Sequence, residues 1–303
     1  ALQTLVQYVD TAQVGRIGVA ASAAVGLTST TTWLVNAPIG AMAMGVLACI
    51  SQALGARDEE RARRTADQSL FIVLVLGLGM TAVTLAAAPF LPGWLGAEAD
   101  IRRDASLYFA IICAPMLFRT ASYLFASVLR ATGNSQTPMQ INLLMNAINV
   151  TLNFLLINPS QVWELGPVSL PMWGAGWGVV GAAVATAVSY LVGGTLMFLA
   201  VRACPLLRPR GPRPIPHWDT LRRCLRISLP IAADRVTVML GQVVFTALVA
   251  RLGTAAVSAH TIALTAEQAF YVPGYGMQAA AATLAGYAVG GRDEERLRES
   301  SSA

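Results

Sequence analysis

Three acidic side chains fall inside stretches otherwise fit only for lipid: Asp10, Asp234 and Glu267. The rest of the sixteen acids occupy polar loops or helix ends. An ionisable group within a membrane span is costly to insert, which makes each a candidate functional residue. A carboxyl group in a low-dielectric cavity holds its proton more tightly than in water. It can exchange that proton, or a small inorganic cation, for a positively charged ligand. Asp10 is the sharpest candidate: either it works in this way, or it is locked structurally to a neighbouring Arg or Asn. Asp234 stands beside Arg235 near the start of its span, where an interfacial ion pair explains it as well as function does. Glu267 lies mid-span with Gln268, Tyr271 and Pro273 nearby, and could serve a second cavity.

Amides form the next signal. In INLLMNAINVTLNFLLI the asparagines are Asn142, Asn146, Asn149 and Asn153. Their 4–3–4 spacing puts all four on one face of a helix. Such a face either packs against another polar helix or lines a wet cavity. Asn36, Asn146, Glu267, Tyr271 and Met277 are taken together as candidate lining of a substrate cavity. Met and aromatic side chains suit apolar cations, although core or lipid-facing packing explains any single one. Arg119, deep in an apolar run, is a candidate fixed counter-charge for one of the acids. His260 could titrate, or sit satisfied at the interface.

The elements that must carry these residues are membrane helices. The chain is 55% hydrophobic and 12% charged, with mean hydropathy +0.57, where a soluble domain carries about 25% charge. Apolar runs long enough to span a bilayer lie at about 1–15, 22–50, 68–92, 105–129, 137–158, 177–201, 225–251 and 257–288. Lipid requires backbone groups to be satisfied within each span, and barrel-type alternation is missing, so an all-α polytopic fold is expected. All 21 basic residues are Arg. They concentrate after spans two, six and eight, so the loops after the even-numbered spans are expected to be cytoplasmic. This placement follows a membrane rather than nucleic acid. Cys49, Cys113, Cys204 and Cys224 have no ligand spacing and read as small buried hydrophobes or idle thiols. No metal site is read beyond Na⁺ at Asp10. With only His217 and His260 and no serine motif, an intramembrane enzyme lacks its nucleophile and base.

The spans are arranged as a repeat. Residues 7–64 and 242–299 align without a gap at an offset of 235, with about twenty identities. Shared positions include Thr11/Thr246, Arg16/Arg251, Gly18/Gly253 and Pro38/Pro273. A duplicated membrane half is the signature of a secondary transporter. Six spans separate the copies, so both halves enter the membrane in the same direction and the pseudo-two-fold axis follows the membrane normal. Asp10 aligns with Phe245 and Glu267 with Thr32, so each acid belongs to one half only. The expected organisation is a six-helix bundle at 1–201, a proline-rich cytoplasmic linker at 202–219, and a second bundle from 220 to 303. The second bundle is cut after its second helix. The chain thus reads as part of a twelve-span protein of roughly 450 residues. Pro38, Pro115, Pro230 and Pro273 should kink their helices. The Gly/Ala runs at 174–186 and 279–286 should let helices pack closely.

The segments VDTAQVGRIG (9–18), RATGNSQTPM (130–139), NVTLNFLLI (149–157), GVVGAAVAT (178–186) and ARLGTAAVSAHTIAL (250–264) resemble the multidrug and toxic compound extrusion (MATE) family. The likeness is closest to its bacterial damage-inducible branch. The resemblance implies a V-shaped pair of six-helix bundles opening alternately to either side. It implies an inner-membrane antiporter, not an enzyme, that exports organic, often cationic compounds in exchange for H⁺ or Na⁺, with no other cofactor. A monomer binding drugs or small organic cations is expected. By the same likeness Asp10 matches the family's coupling acid, Asn149 and Asn153 its polar pair in helix five, Thr186 a threonine closing that cluster, and Gln3 a cavity glutamine. Members with a well-formed Na⁺ site resemble one another in having Asp where this chain has Asn153, which favours H⁺ here. The rival within the superfamily is a lipid-linked precursor flippase, which would favour a strongly cationic cavity.

Overall fold

The computed structural model describes residues 19–94, 99–157, 159–165, 168–207, 217–250, 254–295 and 298. The first expected span, with Gln3 and Asp10, lies outside the described residues. The helices are α1 (Val19–Gly55), α2 (Glu59–Ala87), the short α3 (Leu91–Trp94), α4 (Ala99–Cys113), α5 (Met116–Ala131), α6 (Gln136–Ile157), α7 (Gly178–Ala203), α8 (Trp218–Ala250) and α9 (Thr254–Gly291). Spans two to eight of the sequence correspond to α1, α2, the α4–α5 pair, α6, α7, α8 and α9. By length and apolarity, 35–55, α2, α6 and α7 can each cross a bilayer, and α4–α5 can do so as one broken span bent by 47°. The bend falls at Ala114–Pro115, where proline removes a backbone donor. Pro38 and Pro230, by contrast, lie within continuous helices.

One element departs from the helical expectation. Strands β1 (Pro159–Leu165) and β2 (Val168–Ala175) form an antiparallel hairpin between α6 and α7, with Trp163 opposite Leu170. The hairpin connects two spans and is not itself one, so its open edges do not need to be satisfied in lipid. The short runs QVWEL and VSLPMW carry the β-branched and aromatic residues that favour strands, in a stretch read from the sequence only as a loop.

The repeat is visible in the backbone. Helix α1 begins at Val19 and α9 at Thr254, at the same offset of 235. Both end on an arginine in the left-handed region, Arg57 (φ 58°) and Arg292 (φ 54°), also at equivalent positions. The Arg57 N–H donates to Leu54 O and the Asp58 N–H to Ala53 O, at 3.0 and 2.9 Å. Arg292 and Asp293 repeat both bonds to Val289 O and Ala288 O, at 3.3 and 3.0 Å. A left-handed residue satisfying the last carbonyls is how such helices stop. Asp58 then caps α2 by accepting from the Arg61 N–H at 2.9 Å, and Arg63 and Arg64 pair with Glu59 and Glu60 on the first turns.

The buried core runs through α1, α2, α5 and α7 and reaches α8 at Cys224. Helix α7 supplies the close approaches its glycines predicted. A Cβ on Gly194 would stand 2.4 Å from Phe118 O, and one on Gly181 would stand 2.6 Å from Leu156 O. Helices α8 and α9 meet α1: Ser228 and Cys224 lie against Gly45, Gly286 against Ser51, and Tyr287 against Gly55. These contacts fall on the half of α1 that leads into the arginine-rich loop. The Tyr287 hydroxyl also donates to Ala131 O at 2.9 Å. Both described ends of the linker are fastened to α2, where Arg63 Nε donates to Leu206 O and Gln68 Oε1 accepts from the His217 N–H, each at 2.9 Å.

Replacing Gly194 by Val should separate α7 from α5, costing about 1–3 kcal/mol and lowering the melting temperature of the full-length protein in detergent. The same change at Gly79, which has nothing within 4 Å of a built Cβ, should be far milder. Equal losses at the two positions would contradict the close-packing account.

Candidate ion and ligand site

Helices α6 and α7 bring together the amides and the hydroxyl singled out in the sequence. Asn149 Nδ2 donates to Thr186 Oγ1 at 3.2 Å, and Asn153 Nδ2 donates to Asn149 Oδ1 at 3.1 Å. The middle amide therefore uses both ends of its side chain, binding one turn onward along α6 and across to α7. Asn149 is 6% exposed and Asn153 1% exposed, where neither water nor lipid would substitute for these bonds at low cost. The helix geometry explains the choice of residues: a spacing of four stacks two side chains on one face. Gly181, five residues before Thr186, lets α7 approach α6 closely enough for the cross-helix bond.

The remaining asparagines on that face behave differently. Asn142 and Asn146 are only half-buried, so the polar face divides into a buried pair and a wetter pair. Met145, between them, is buried against Gly193, and its sulfur accepts from Ser122 Oγ at 3.8 Å. Asn36 is half-buried on α1 with its side-chain oxygen buried and no donor reaching it among the described residues. An acceptor left open in this way suits a ligand bearing an N–H or O–H group.

Arg119 has a described contact that the sequence reading did not name. It is 6% exposed, and its Nε and Nη1 meet no acceptor among the described residues. Its guanidinium instead stacks over the Tyr190 ring, with Cζ 4.8 Å from the ring centre. An aromatic face holds a cation through its quadrupole, so Arg119 is a ring-stacked charge and no described carboxylate pairs with it. Tyr190 was not foreseen as its partner. The available signal was its place one turn beyond Thr186 on the same face of α7.

The acids of α8 and α9 stand apart from this cluster. Asp234 is exposed and makes no ion pair among the described residues. Glu267 is exposed, as is Met277 at 68%. The backbone of Tyr271 lies within α9, and its side chain is outside the described set. Neither Asp234 nor Glu267 is brought to the α6–α7 cluster by a described contact. Of the aromatic and sulfur residues, Phe125 is core, stacked at 5.7 Å on Phe198, and Met42 accepts from Ser228 Oγ at 3.5 Å. No group of three or more metal-ligating side chains is found among the described residues. Cys49, Cys113 and Cys224 are buried and Cys204 half-buried, all as free thiols.

Because Asn149 makes two side-chain bonds and Thr186 contributes only one of them, Asn149→Leu should cost about 2 kcal/mol and Thr186→Val about 1 kcal/mol. Thermal melting of the full-length protein measures both. A Thr186→Val loss equal to that of Asn149→Leu would remove Asn149 from the centre of the cluster.

A probable multidrug resistance protein NorM from Thermotoga maritima is 28% identical over 286 residues, covering 94% of this chain and 59% of the relative. Multidrug resistance protein MdtK from Edwardsiella ictaluri is also 28% identical, covering 98% of this chain and 64% of the relative. Among solved structures, a MATE protein in complex with MaD5 superposes with a TM-score of 0.87 at 26% identity, over 99% of this chain and 65% of that one. An outward-facing MATE family transporter of the MOP superfamily superposes at 0.85 and 26% identity. The chain thus spans less than two thirds of the length of these relatives. The MatE family model matches residues 1–155 and 230–303. These helices are those of a polytopic membrane protein, and the chain belongs to the MatE family.

Proposed function

We propose that the whole protein is a secondary antiporter that exports organic, often cationic compounds in exchange for H⁺ by alternating access. The observation that carries the reading is the buried Asn153–Asn149–Thr186 chain, a polar cluster maintained inside a bilayer at the positions where the family resemblance puts ion coupling. The multidrug names of the relatives support the substrate class. The two halves are taken as 1–201 and the chain from 220, joined by the linker 202–219. Asp10 is the coupling acid, and Asn149, Asn153 and Thr186 are its polar surroundings. Gln3, Asn36, Asn146, Glu267, Tyr271 and Met277 line the path of the cargo, and Asp234 is a candidate second acid.

In this scheme the ionised Asp10 carboxylate holds a cationic substrate. Proton entry neutralises the acid, the substrate leaves, and the unloaded protein reorients. Coupling requires that the proton bind the two orientations unequally. A site whose nearest partners are two amides and one hydroxyl offers Na⁺ less charge than a pair of carboxylates, at the same dehydration cost. The arginine distribution supports placing the α1–α2 loop and the linker in the cytoplasm of a bacterial inner membrane. Against the flippase alternative, the one deep arginine of the described first-half helices, Arg119, is stacked on Tyr190 instead of contributing to a cationic cavity.

The full-length protein in proteoliposomes should extrude a cationic dye under an imposed pH gradient and respond little to a Na⁺ gradient. Asp10→Asn should insert normally and lose the gradient-driven component. Undiminished export by that variant would exclude Asp10, and export driven by Na⁺ alone would reverse the ion assignment.

A further inference from the structure

The contact between the two halves contains a chemical feature that transport does not need. Cys49 on α1 and Cys224 on α8 are 5% and 0% exposed, and they lie in the same buried cluster where α1 packs on α8. The approach is fixed by backbone. Gly45, one turn from Cys49, is so close to α8 that a built Cβ would stand 2.8 Å from the Cys224 carbonyl oxygen. Ser228, one turn beyond Cys224, donates to Cys224 O at 2.8 Å and to Met42 Sδ at 3.5 Å, holding the same two helix faces in register. Cys49 is reachable. Cys49 lines a cleft of about 270 Å³ at the arginine-rich end, whose walls include Arg61, Arg64, Asp219 and Arg223. That volume admits a small polar oxidant but not a protein.

We propose that Cys49 and Cys224 form an oxidisable dithiol, a modification site at which a peroxide joins α1 to α8 through a disulfide. The Cys49 sulfur, as thiolate, attacks one peroxide oxygen. The O–O bond breaks, giving a sulfenic acid on Cys49 and releasing water once the departing hydroxide takes up a proton. The Cys224 sulfur then attacks the sulfenic sulfur, the S–S bond forms, the S–O bond breaks, and a second water leaves with the Cys224 proton. Two thiols are oxidised by two electrons in all, and one hydrogen peroxide is reduced to two waters. Reduction by a dithiol reverses the change. The bond would hold the arginine-rich ends of the two halves together, so the protein could no longer alternate. This last consequence rests on the alternating-access reading above.

The test uses the full-length protein in proteoliposomes, treated with hydrogen peroxide, alkylated to block remaining thiols, and digested without reduction. Mass spectrometry should find a peptide pair joined through Cys49 and Cys224, and dye efflux should be lost in proportion to that pair. Dithiothreitol should restore efflux. Cys49→Ser and Cys224→Ser should each keep the untreated rate under peroxide, since neither thiol belongs to the ion cluster. The proposal is overturned if peroxide oxidises Cys204 yet yields no Cys49–Cys224 pair, or if complete cross-linking leaves efflux unchanged. Absence of efflux from the reduced protein would count against the transport reading alone, because the cross-linked peptide is scored without it.

Discussion

Lipid supplies no hydrogen bonds, so a polar side chain within the bilayer is stable only where the protein itself completes its bonding. The Asn149 amide meets that condition with both ends of its side chain, giving to Thr186 on α7 and taking from Asn153 on α6. Two apolar helices are thereby fixed to each other at one depth and one rotation. The arrangement depends on close backbone approach, and α7 provides it on two sides, with Gly181 against α6 and Gly194 against α5. Small residues bring the helices together, and the amides then determine the register in which they meet.

The same physics shapes the junction between the halves, with a different outcome. There Gly45, Gly55 and Gly286 allow α1 to lie directly on α8 and α9. Among the described residues the polar contacts there include Tyr287 to Ala131 O and Ser228 to Met42. The close approach there rests on small residues. The α6–α7 cluster is buried, bonded and expensive to disturb.

Much of this was legible in the chain. The offset of 235 anticipated two similar helices, each followed by a charged run; the left-handed arginine that stops each helix shows only in the backbone. The 4–3–4 asparagine spacing anticipated a polar face, and Asn149 and Asn153 lie buried on it. It could not divide that face into a buried and a half-buried pair, since the division depends on how far α7 and its glycines cover α6. For a related reason the sequence did not single out Tyr190, an aromatic ring on another helix, as the described contact of Arg119. The hairpin at Pro159–Ala175 was missed because membrane helices dominate the hydropathy and hide a short alternating run between them. The meeting of Cys49 with Cys224 required the two halves to be docked, which no local pattern encodes.

The central claim is that protonation in the first half controls whether the halves stay in contact at their arginine-rich ends. The most direct measurement is the distance between spin labels at the exposed positions of Arg64 on α2 and Arg222 on α8, in the full-length protein in lipid nanodiscs. Double electron–electron resonance on either side of neutral pH should find a short and a long population whose ratio changes with pH, and Asp10→Asn should abolish that change. A single distance, the same at every pH, would contradict the account.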